Sequence, residues 1–223
     1  MAYCYEKKTD RKGNIYIEIT GYEGSIRHLV IPAMMENIPV RSIGKYAFSG
    51  REDLCSLTLP ETIDTLGRQA FYNCKNLTTL SLFDSVEDYY DGVIKQCGNL
   101  HAITLHQKRN SFSVMKELLA DNDRMLRFCV EPIGLHLTFP AYVYDFVEDV
   151  EARVLHHKIE GSGYPYRECV TRKGVDLLAY DRLFFHAADD DYRAAIDIAL
   201  DRLMYPLELE RQEKCMNSIW KRM

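Results

Sequence analysis

The residue types best suited to chemistry are two histidines and a cysteine in the second half of the chain. His156 and His157 are adjacent and Cys169 follows them, so a Cys–His nucleophile and a metal site are two alternatives. Neighbouring positions on a helix point about 100° apart, so the two histidines do not simply share one ligand site. We interpret them as exposed histidines at the end of a helix. An enzyme with a site around His156, Tyr166 and Cys169 remains an alternative, although the spacing of these residues supports no particular class of reaction.

The cysteines form no recognisable metal or disulfide framework. The chain of 223 residues has 7 of them at scattered positions, and no two are spaced as Cys-x-x-Cys. A structural zinc site therefore has no support, and a reducing compartment fits better than a set of disulfides. The sequence predicts neither a metal nor a cofactor.

Two short motifs are explained by local structure rather than by ligand binding. Gly-Ser-Gly at 161–163 is not followed by the Gly-Lys-Ser/Thr of a phosphate loop, so it predicts a turn. Asp-Asp-Asp at 189–191 lacks the glycine and the distal glutamate of a calcium loop, so it predicts the start of a helix.

Tyr164, Tyr166 and Arg167 form a candidate binding group next to this turn. Aromatic side chains beside an arginine are common at the energetic centres of protein interfaces. A loop that packs on the rest of the protein would have the same composition. The sequence leaves both interpretations open.

The first half of the chain contains an internal repeat. Leu54, Leu77 and Leu100 open three copies of Leu-x-x-Leu/Ile-x-Leu, each 23 residues after the one before. An earlier copy opens at Ile26, and an insertion at 34–39 changes its offset and maps to a loop. The second part of the unit keeps the same interval, in the pairs Ala47-Phe48, Ala70-Phe71 and, less closely, Val93-Ile94.

The pattern of each unit predicts one coil of a solenoid. Leu-x-x-Leu-x-Leu puts alternate side chains on one face of a short strand, and Pro60 ends that strand because it has no N–H for the ladder. One coil cannot bury its own apolar face, whereas stacked coils can. Cys74 and Cys97 occupy the same position of adjacent coils. We interpret them as small buried apolar groups rather than as a disulfide or metal pair.

These units resemble the BspA-like class of bacterial leucine-rich repeats. The pattern Ile/Leu-Pro-x-x-Ile, Ile/Leu-Gly-x-x-Ala-Phe and Cys-x-x-Leu carries the resemblance, most clearly at 57–77 and 43–48. The stretch 15–31 is similar to the cap that opens such arrays, so the resemblance covers about 13–106. The third unit departs from it at 88–92, which suggests an array that decays toward its end. The resemblance implies a right-handed parallel solenoid with a binding role, and it supplies no catalytic residues.

The solenoid interpretation gives a candidate binding surface on the outward side of its strands. Small side chains, many with hydroxyls, stand there in two rows and leave a flat face that a ligand can reach. The alternatives are that such residues simply suit a parallel ladder, or that another part of the chain covers the face. The first row is His28, Ser56, Thr79 and Ala102, and the second is Val30, Thr58, Ser81 and Thr104.

After the third unit the period stops and the pattern predicts mixed elements. We expect a helix that starts at 110–113 and ends near residue 120, then strands at 126–130 and 135–139 that continue the sheet. We further expect a helix over 141–158 and a loop at 161–166.

The last part of the chain predicts helices. A helical hairpin is expected from 178–188 and 190–204, with Asp189 as the cap of its second helix. This part is similar to helical extensions of intracellular members of the repeat family. The second helix carries an apolar stripe of Tyr192, Ile196, Ala199, Leu200 and Leu203, and a final helix carries Leu209, Gln212, Met216 and Ile219 on one face.

Together these patterns predict an α+β protein of two parts. Residues 1–139 form a leucine-rich-repeat solenoid with short parallel strands and an N-terminal cap, and its clear repeats are 26–106. Residues 140–223 form a mainly α-helical region. We expect it to pack on the end of the solenoid, because the last open coil of a repeat array needs a cover.

Composition excludes several classes of partner. The net charge is −5 and the first 110 residues are balanced, so neither half has the basic excess that nucleic acid demands. No polybasic amphipathic stretch suits an anionic membrane, and no apolar run has transmembrane length. We therefore expect a non-catalytic module of the bacterial cytoplasm that binds a protein partner. The alternative of an exported cell-surface adhesin would need a leader that the N-terminal residues do not show.

Overall fold

A computed structural model describes residues 2–149 and 154–205, which form a parallel-strand solenoid followed by a helical region. The strands of the repeat half are β1 (Ala2–Thr9), β2 (Ile15–Glu23), β3 (His28–Val30), β4 (Met34–Met35), β5 (Ile38–Ile43), β6 (Ser56–Thr58), β7 (Thr65–Leu66), β8 (Thr79–Phe83), β9 (Asp88–Tyr89) and β10 (Ala102–His106). The later elements are α1 (Ser113–Asp121), β11 (Leu126–Glu131), β12 (Leu135–Phe139), β13 (Val143–Asp149), β14 (Val154–Glu160), α2 (Gly163–Glu168), β15 (Val170–Thr171), β16 (Gly174–Val175), α3 (Leu177–Arg182), α4 (Phe184–Asp190) and α5 (Tyr192–Met204).

The leucine pattern of the repeat builds a front sheet with the strand order β12-β11-β10-β8-β6-β3. Its strands are parallel, except that β12 runs antiparallel to β11. Leu57 pairs with Leu80, and Leu80 pairs with Ile103, so like residues stack from coil to coil with their side chains in the core. The predicted fold class, a leucine-rich-repeat solenoid followed by helices, is confirmed in this arrangement.

A back sheet with the order β1-β2-β5-β7-β9 closes the other side of the coils, and β4 pairs with β5. The coils approach closely where the repeat has its Ile/Leu-Gly pair. A Cβ atom at Gly67 would lie 2.7 Å from backbone atoms of Gly44 and Lys45, so a larger residue does not fit there without a shift of the chain.

Left-handed backbone recurs at the repeat interval. Tyr46 (φ 58°), Gln69 (φ 55°) and Gly92 (φ 74°) occupy the same place in successive coils. The third coil therefore keeps its turn although its sequence departs from the pattern at 88–92, because Gly92 adopts this conformation at little steric cost. The strand β9 also pairs with β7 in this coil. The third coil thus departs from the repeat in its sequence at 88–92 but keeps the backbone conformation of the other coils.

The solenoid sheet continues past the last clear repeat. The predicted strands at 126–130 and 135–139 are confirmed as β11 and β12, and β11 pairs in parallel with β10 over five positions, from Ala102 to His106. The predicted helix at 113–120 is confirmed as α1.

Two predictions for the segment after β12 are wrong. The expected helix over 141–158 is an antiparallel hairpin of β13 and β14, and the two histidines lie in a strand rather than at a helix end. The first strand, β13, contains Val143, Tyr144, Phe146 and Val147 among its seven residues, and valine and aromatic residues favour strands. The expected loop at 161–166 contains the start of α2, whose Pro165 lies in the first turn, where a missing N–H costs no helical hydrogen bond.

The helices near the end follow the predicted order with shifted boundaries. The expected helix at 178–188 is divided into α3 and α4, and Asp189 lies inside α4 instead of capping the next helix. Asp191 caps α5, since its Oδ1 accepts hydrogen bonds from the backbone N–H groups of Arg193 (3.0 Å) and Ala194 (3.1 Å). The predicted final helix lies outside the described residues. In the described part of the chain, no helix is long and apolar enough to cross a membrane.

The domain boundary near residue 139 stays a prediction, and truncation at residue 108 tests whether the clear repeats depend on the rest of the chain. A chain that stops at residue 108 lacks β11, so the backbone edge of β10 and the apolar side chains beside it face water. We expect residues 1–108 to be insoluble or to unfold without a cooperative transition. A stable monomer with a sharp thermal transition by circular dichroism would show instead that the solenoid folds independently.

Candidate functional site

The candidate binding residues of the strands lie side by side on the outward side of the front sheet. The register places them in two straight rows, which we call the outer rows. Neighbouring members are about 4.8 Å apart along a row, because that is the spacing of paired strands. Val30 is 60% exposed, and every other member is at least partly accessible. The first row is His28, Ser56, Thr79 and Ala102, and the second is Val30, Thr58, Ser81 and Thr104.

Hydrogen bonds order several of these side chains. The Nδ1 atom of His28 lies 2.8 Å from the Oγ atom of Ser56. Further along the sheet, Ser81 Oγ lies 3.0 Å from His106 Nε2, and His106 Nδ1 lies 3.0 Å from a carboxylate oxygen of Glu131. The ring of Phe83 packs on the imidazole of His106, with 4.8 Å between ring centroids. The outer face is therefore a set of positioned donors and acceptors.

The chain Ser81–His106–Glu131 has the order of a nucleophile, a base and an orienting carboxylate. Acyl transfer also needs hydrogen-bond donors aimed at the developing oxyanion. Ser81 lies within β8, which is paired on both sides, so the peptide N–H groups around it serve the ladder. The geometry favours an ordered binding surface over an activated nucleophile.

The open part of the outer face ends at α5. His136 and Thr138 alternate with the core residues of β12 and so point outward, where Thr138 Oγ1 donates a 2.7 Å hydrogen bond to Asp201 on α5. Arg127 of β11 forms an ion pair with Asp197 on the same helix. Part of this chain thus covers the outer face at β11 and β12, while the strands from β3 to β10 carry the outer rows.

The candidate group Tyr164, Tyr166 and Arg167 is divided by the fold. Tyr164 is partly exposed, whereas Tyr166 is 0% and Arg167 6% exposed. Two of the three side chains therefore lie in the interior. This placement corresponds to the alternative of a segment that packs on the solenoid.

Arg167 joins several segments inside the protein. Its five guanidinium N–H groups all donate hydrogen bonds to backbone carbonyl oxygens, and the ring of Tyr142 lies 4.6 Å from its Cζ. Burial lowers the pKa of Arg167 to about 10, which still leaves it protonated at neutral pH. The carbonyls belong to Leu119, Asn122, Arg124, Pro140 and Gly163, at 2.6 to 3.1 Å.

The cysteines have the environment of structural thiols. Burial raises the pKa of the Cys169 thiol to about 11, which opposes its use as a nucleophile at neutral pH. Cys74 and Cys97 each donate a 3.1 Å hydrogen bond to a phenylalanine carbonyl of the preceding coil. The six cysteines among the described residues are free. Within the described ranges, no three His, Cys, Asp or Glu side chains are grouped to hold a metal ion.

His106 and Glu131 are the site residues that sequence reasoning missed. His106 closes the third repeat copy, so its neighbour on β8 follows from the 23-residue interval. Glu131 lies outside the period, and only the continuation of the sheet through β11 brings it beside His106. The spacing of residues in the sequence therefore does not connect His106 with Glu131.

The stacked coils and their leucine ladder define a leucine-rich-repeat protein. Residues 22–116 match the family described as a BspA type leucine rich repeat region, with 6 copies, which confirms the resemblance found in the sequence. Among curated proteins, none matches the chain.

Solved structures with similarity to the chain are also leucine-rich-repeat proteins. A leucine rich cell surface protein from Faecalibacterium prausnitzii has 19% identity and a TM-score of 0.32, over 48% of this chain and 45% of that one. A leucine-rich repeat protein from Bacteroides capillosus has 22% identity and a TM-score of 0.34, over 47% and 79% of the two chains. The T. pallidum leucine rich repeat protein has 18% identity and a TM-score of 0.27, over 45% and 68%. The matched part thus spans less than half of the first of these proteins.

Proposed function

We propose that the protein is a non-catalytic scaffold that binds a protein partner through the outer rows of the front sheet. The observation that carries the proposal is the register itself, which aligns eight outward side chains on four strands. Surface loops are not needed to form this face, so it is rigid before binding, and a rigid surface loses less entropy when a partner docks.

The size of the outer rows indicates the kind of complex. Four strands about 4.8 Å apart, two of them three residues long and two of them five, offer roughly 250 Å². A standard interface buries about 800 Å² on each partner. We therefore expect a transient complex, in which hydrogen bonds to Ser, Thr and His side chains give specificity. The balanced charge of this half means that the partner is recognised by shape and hydrogen bonds more than by net charge.

Arginine substitutions in the outer rows test the proposal. Thr58→Arg and Thr79→Arg place a long charged side chain on the face without touching the core, because both threonines are exposed. We expect each variant to lose the partner that the wild-type full chain retains in a pull-down from the source organism's lysate.

Thr9→Arg is the matched control, since Thr9 is an exposed strand threonine on the back sheet. This variant should retain the partner. Equal recovery by all four proteins would exclude the outer rows as the binding surface.

We also propose that the protein works in the cytoplasm. The support is the cysteine pattern, with 7 scattered thiols in the sequence, of which the six described are free. Thiol titration under denaturing, non-reducing conditions should give seven reactive groups for the native protein. A smaller number would show oxidation and favour the exported alternative.

A further inference from the structure

The helix α5 has apolar residues on two opposite faces. One face places Ala194, Ala195 and Ile198 in the interior, and α5 packs on β12. The opposite face carries large apolar side chains that are between 44% and 73% exposed, and we call this face the α5 ridge. The ridge consists of Tyr192, Ile196, Leu200, Leu203 and Met204.

This distribution differs from that in an ordinary surface helix. An amphipathic helix turns its large apolar residues inward and its polar residues toward water. In α5 the buried face has two alanines and Ile198, and most of the large apolar residues face outward. A contiguous apolar patch of this kind indicates a contact surface, so the α5 ridge needs an occupant.

The chain itself supplies a segment of suitable length and pattern directly after α5. Residues 206–223 begin one residue after Tyr205, and Pro206 cannot continue a helix that ends at Met204. The thirteen residues of α5 span about 20 Å, and a segment of 18 residues is long enough to return along it. Its apolar residues recur at intervals of 7, 3 and 4, at Leu209, Met216, Ile219 and Met223, with Trp220 beside them.

We propose that residues 206–223 dock on the α5 ridge and cover it. The ridge lies on the side of α5 that points away from β12, so this contact is separate from the outer rows and from the proposed partner site.

The area of the ridge favours this occupant over a second copy of the protein. Five partly exposed side chains on one helix offer roughly 500 Å², a typical largest apolar patch of a monomer. A stable dimer needs about 800 Å² on each partner. A tethered segment does not lose the freedom of a separate molecule, because its effective concentration is in the millimolar range. The same area therefore suffices within one chain.

The only tryptophan of the chain, Trp220, lies in this segment and reports on it alone. In the full-length native protein we expect a blue-shifted tryptophan emission and strong protection from acrylamide quenching, both relative to the urea-unfolded chain. Leu200→Asp should move the emission to the red and raise the quenching constant toward the unfolded value. Ile196→Asp should do the same, and far-UV circular dichroism should show that both variants keep the fold.

Leu178→Asp is the matched control, because Leu178 is a leucine of α3 with 48% exposure, close to the 54% of Leu200. It should leave the tryptophan signal unchanged. Wild-type quenching equal to that of the unfolded chain would overturn the proposal, and this measurement needs no variant. Protection that disappears on dilution would overturn it in favour of a second copy. An equal response to Leu178→Asp would also overturn it, since the effect would not be specific to the ridge.

Discussion

Replacing Arg167 by methionine should lower the free energy of unfolding by about 3–5 kcal/mol, as the loss of one partner from a buried charged network does. Methionine keeps an unbranched apolar stem of similar length and removes only the guanidinium. Five backbone carbonyls then lose the donor that satisfies them. Each unsatisfied buried acceptor costs about 1–3 kcal/mol, and relief from burying the guanidinium offsets part of the sum.

Urea unfolding followed by circular dichroism measures this effect, with Arg172→Met as the control. The side chain of Arg172 is 77% exposed and lies 4.0 Å from its nearest carboxylate, Glu117. A surface pair of this kind contributes little, so the control should change stability by less than about 1 kcal/mol. Equal stability of the two variants would mean that the carbonyls around Arg167 are satisfied in another way.

Arg167 also shows why a loop composition can be misread. Beside two tyrosines, its sequence context suits an exposed interaction group as well as a buried anchor. The difference depends on carbonyls from Leu119 to Gly163, which α1, the segment after it and the start of α2 bring to one point. No local sequence pattern predicts which carbonyl groups surround Arg167, because every residue has the same backbone carbonyl oxygen.

The fold of the repeat half could be predicted because each coil repeats the same pattern of apolar residues. The alternation of Leu57, Leu59 and their equivalents sets the inward face, and the constant interval sets the register between coils. The outer rows follow from these two facts alone, as the pairing of Ser56 with Thr79 shows. The loop expected for the insertion at 34–39 is wrong, because β4 pairs antiparallel with the start of β5 there, through Met34 with Pro39 and Met35 with Ile38.

Beyond β10 the 23-residue interval ends, so no second copy of the unit indicates which residues face inward. The pattern of 141–158 predicts a helix although β13 is rich in valine and aromatic residues, and the strand pairing between Val143 and Glu160 has no signature in residue spacing. The same limit applies to Glu131, whose contact with His106 depends on a strand outside the period. The secondary structure and contacts of such segments depend on the tertiary structure around them.

Replacing Phe71 by alanine should lower the free energy of unfolding by about 3–5 kcal/mol, the cost usual for a buried phenylalanine. Phe71 is buried and its ring stacks on that of Phe48 in the preceding coil, with 5.3 Å between centroids and 8° between planes. The loss combines the transfer energy of the ring with a cavity between two coils that the repeat holds at a fixed distance. Thermal unfolding of the full chain by circular dichroism measures it.

Two variants of Phe71 distinguish the contribution of ring stacking from that of an apolar side chain of any shape. Ile94 occupies the equivalent place in the next coil and is buried, so an aliphatic residue fits there. Phe71→Leu should therefore cost less than Phe71→Ala, because leucine fills much of the cavity that alanine leaves. Tyr90→Ala is the control, because Tyr90 is a largely exposed aromatic residue of the third coil and should change stability little. If Phe71→Ala were as mild as Tyr90→Ala, the coils would not depend on the ladder of large side chains at this position, and the stability of the solenoid would have to come from its two sheets.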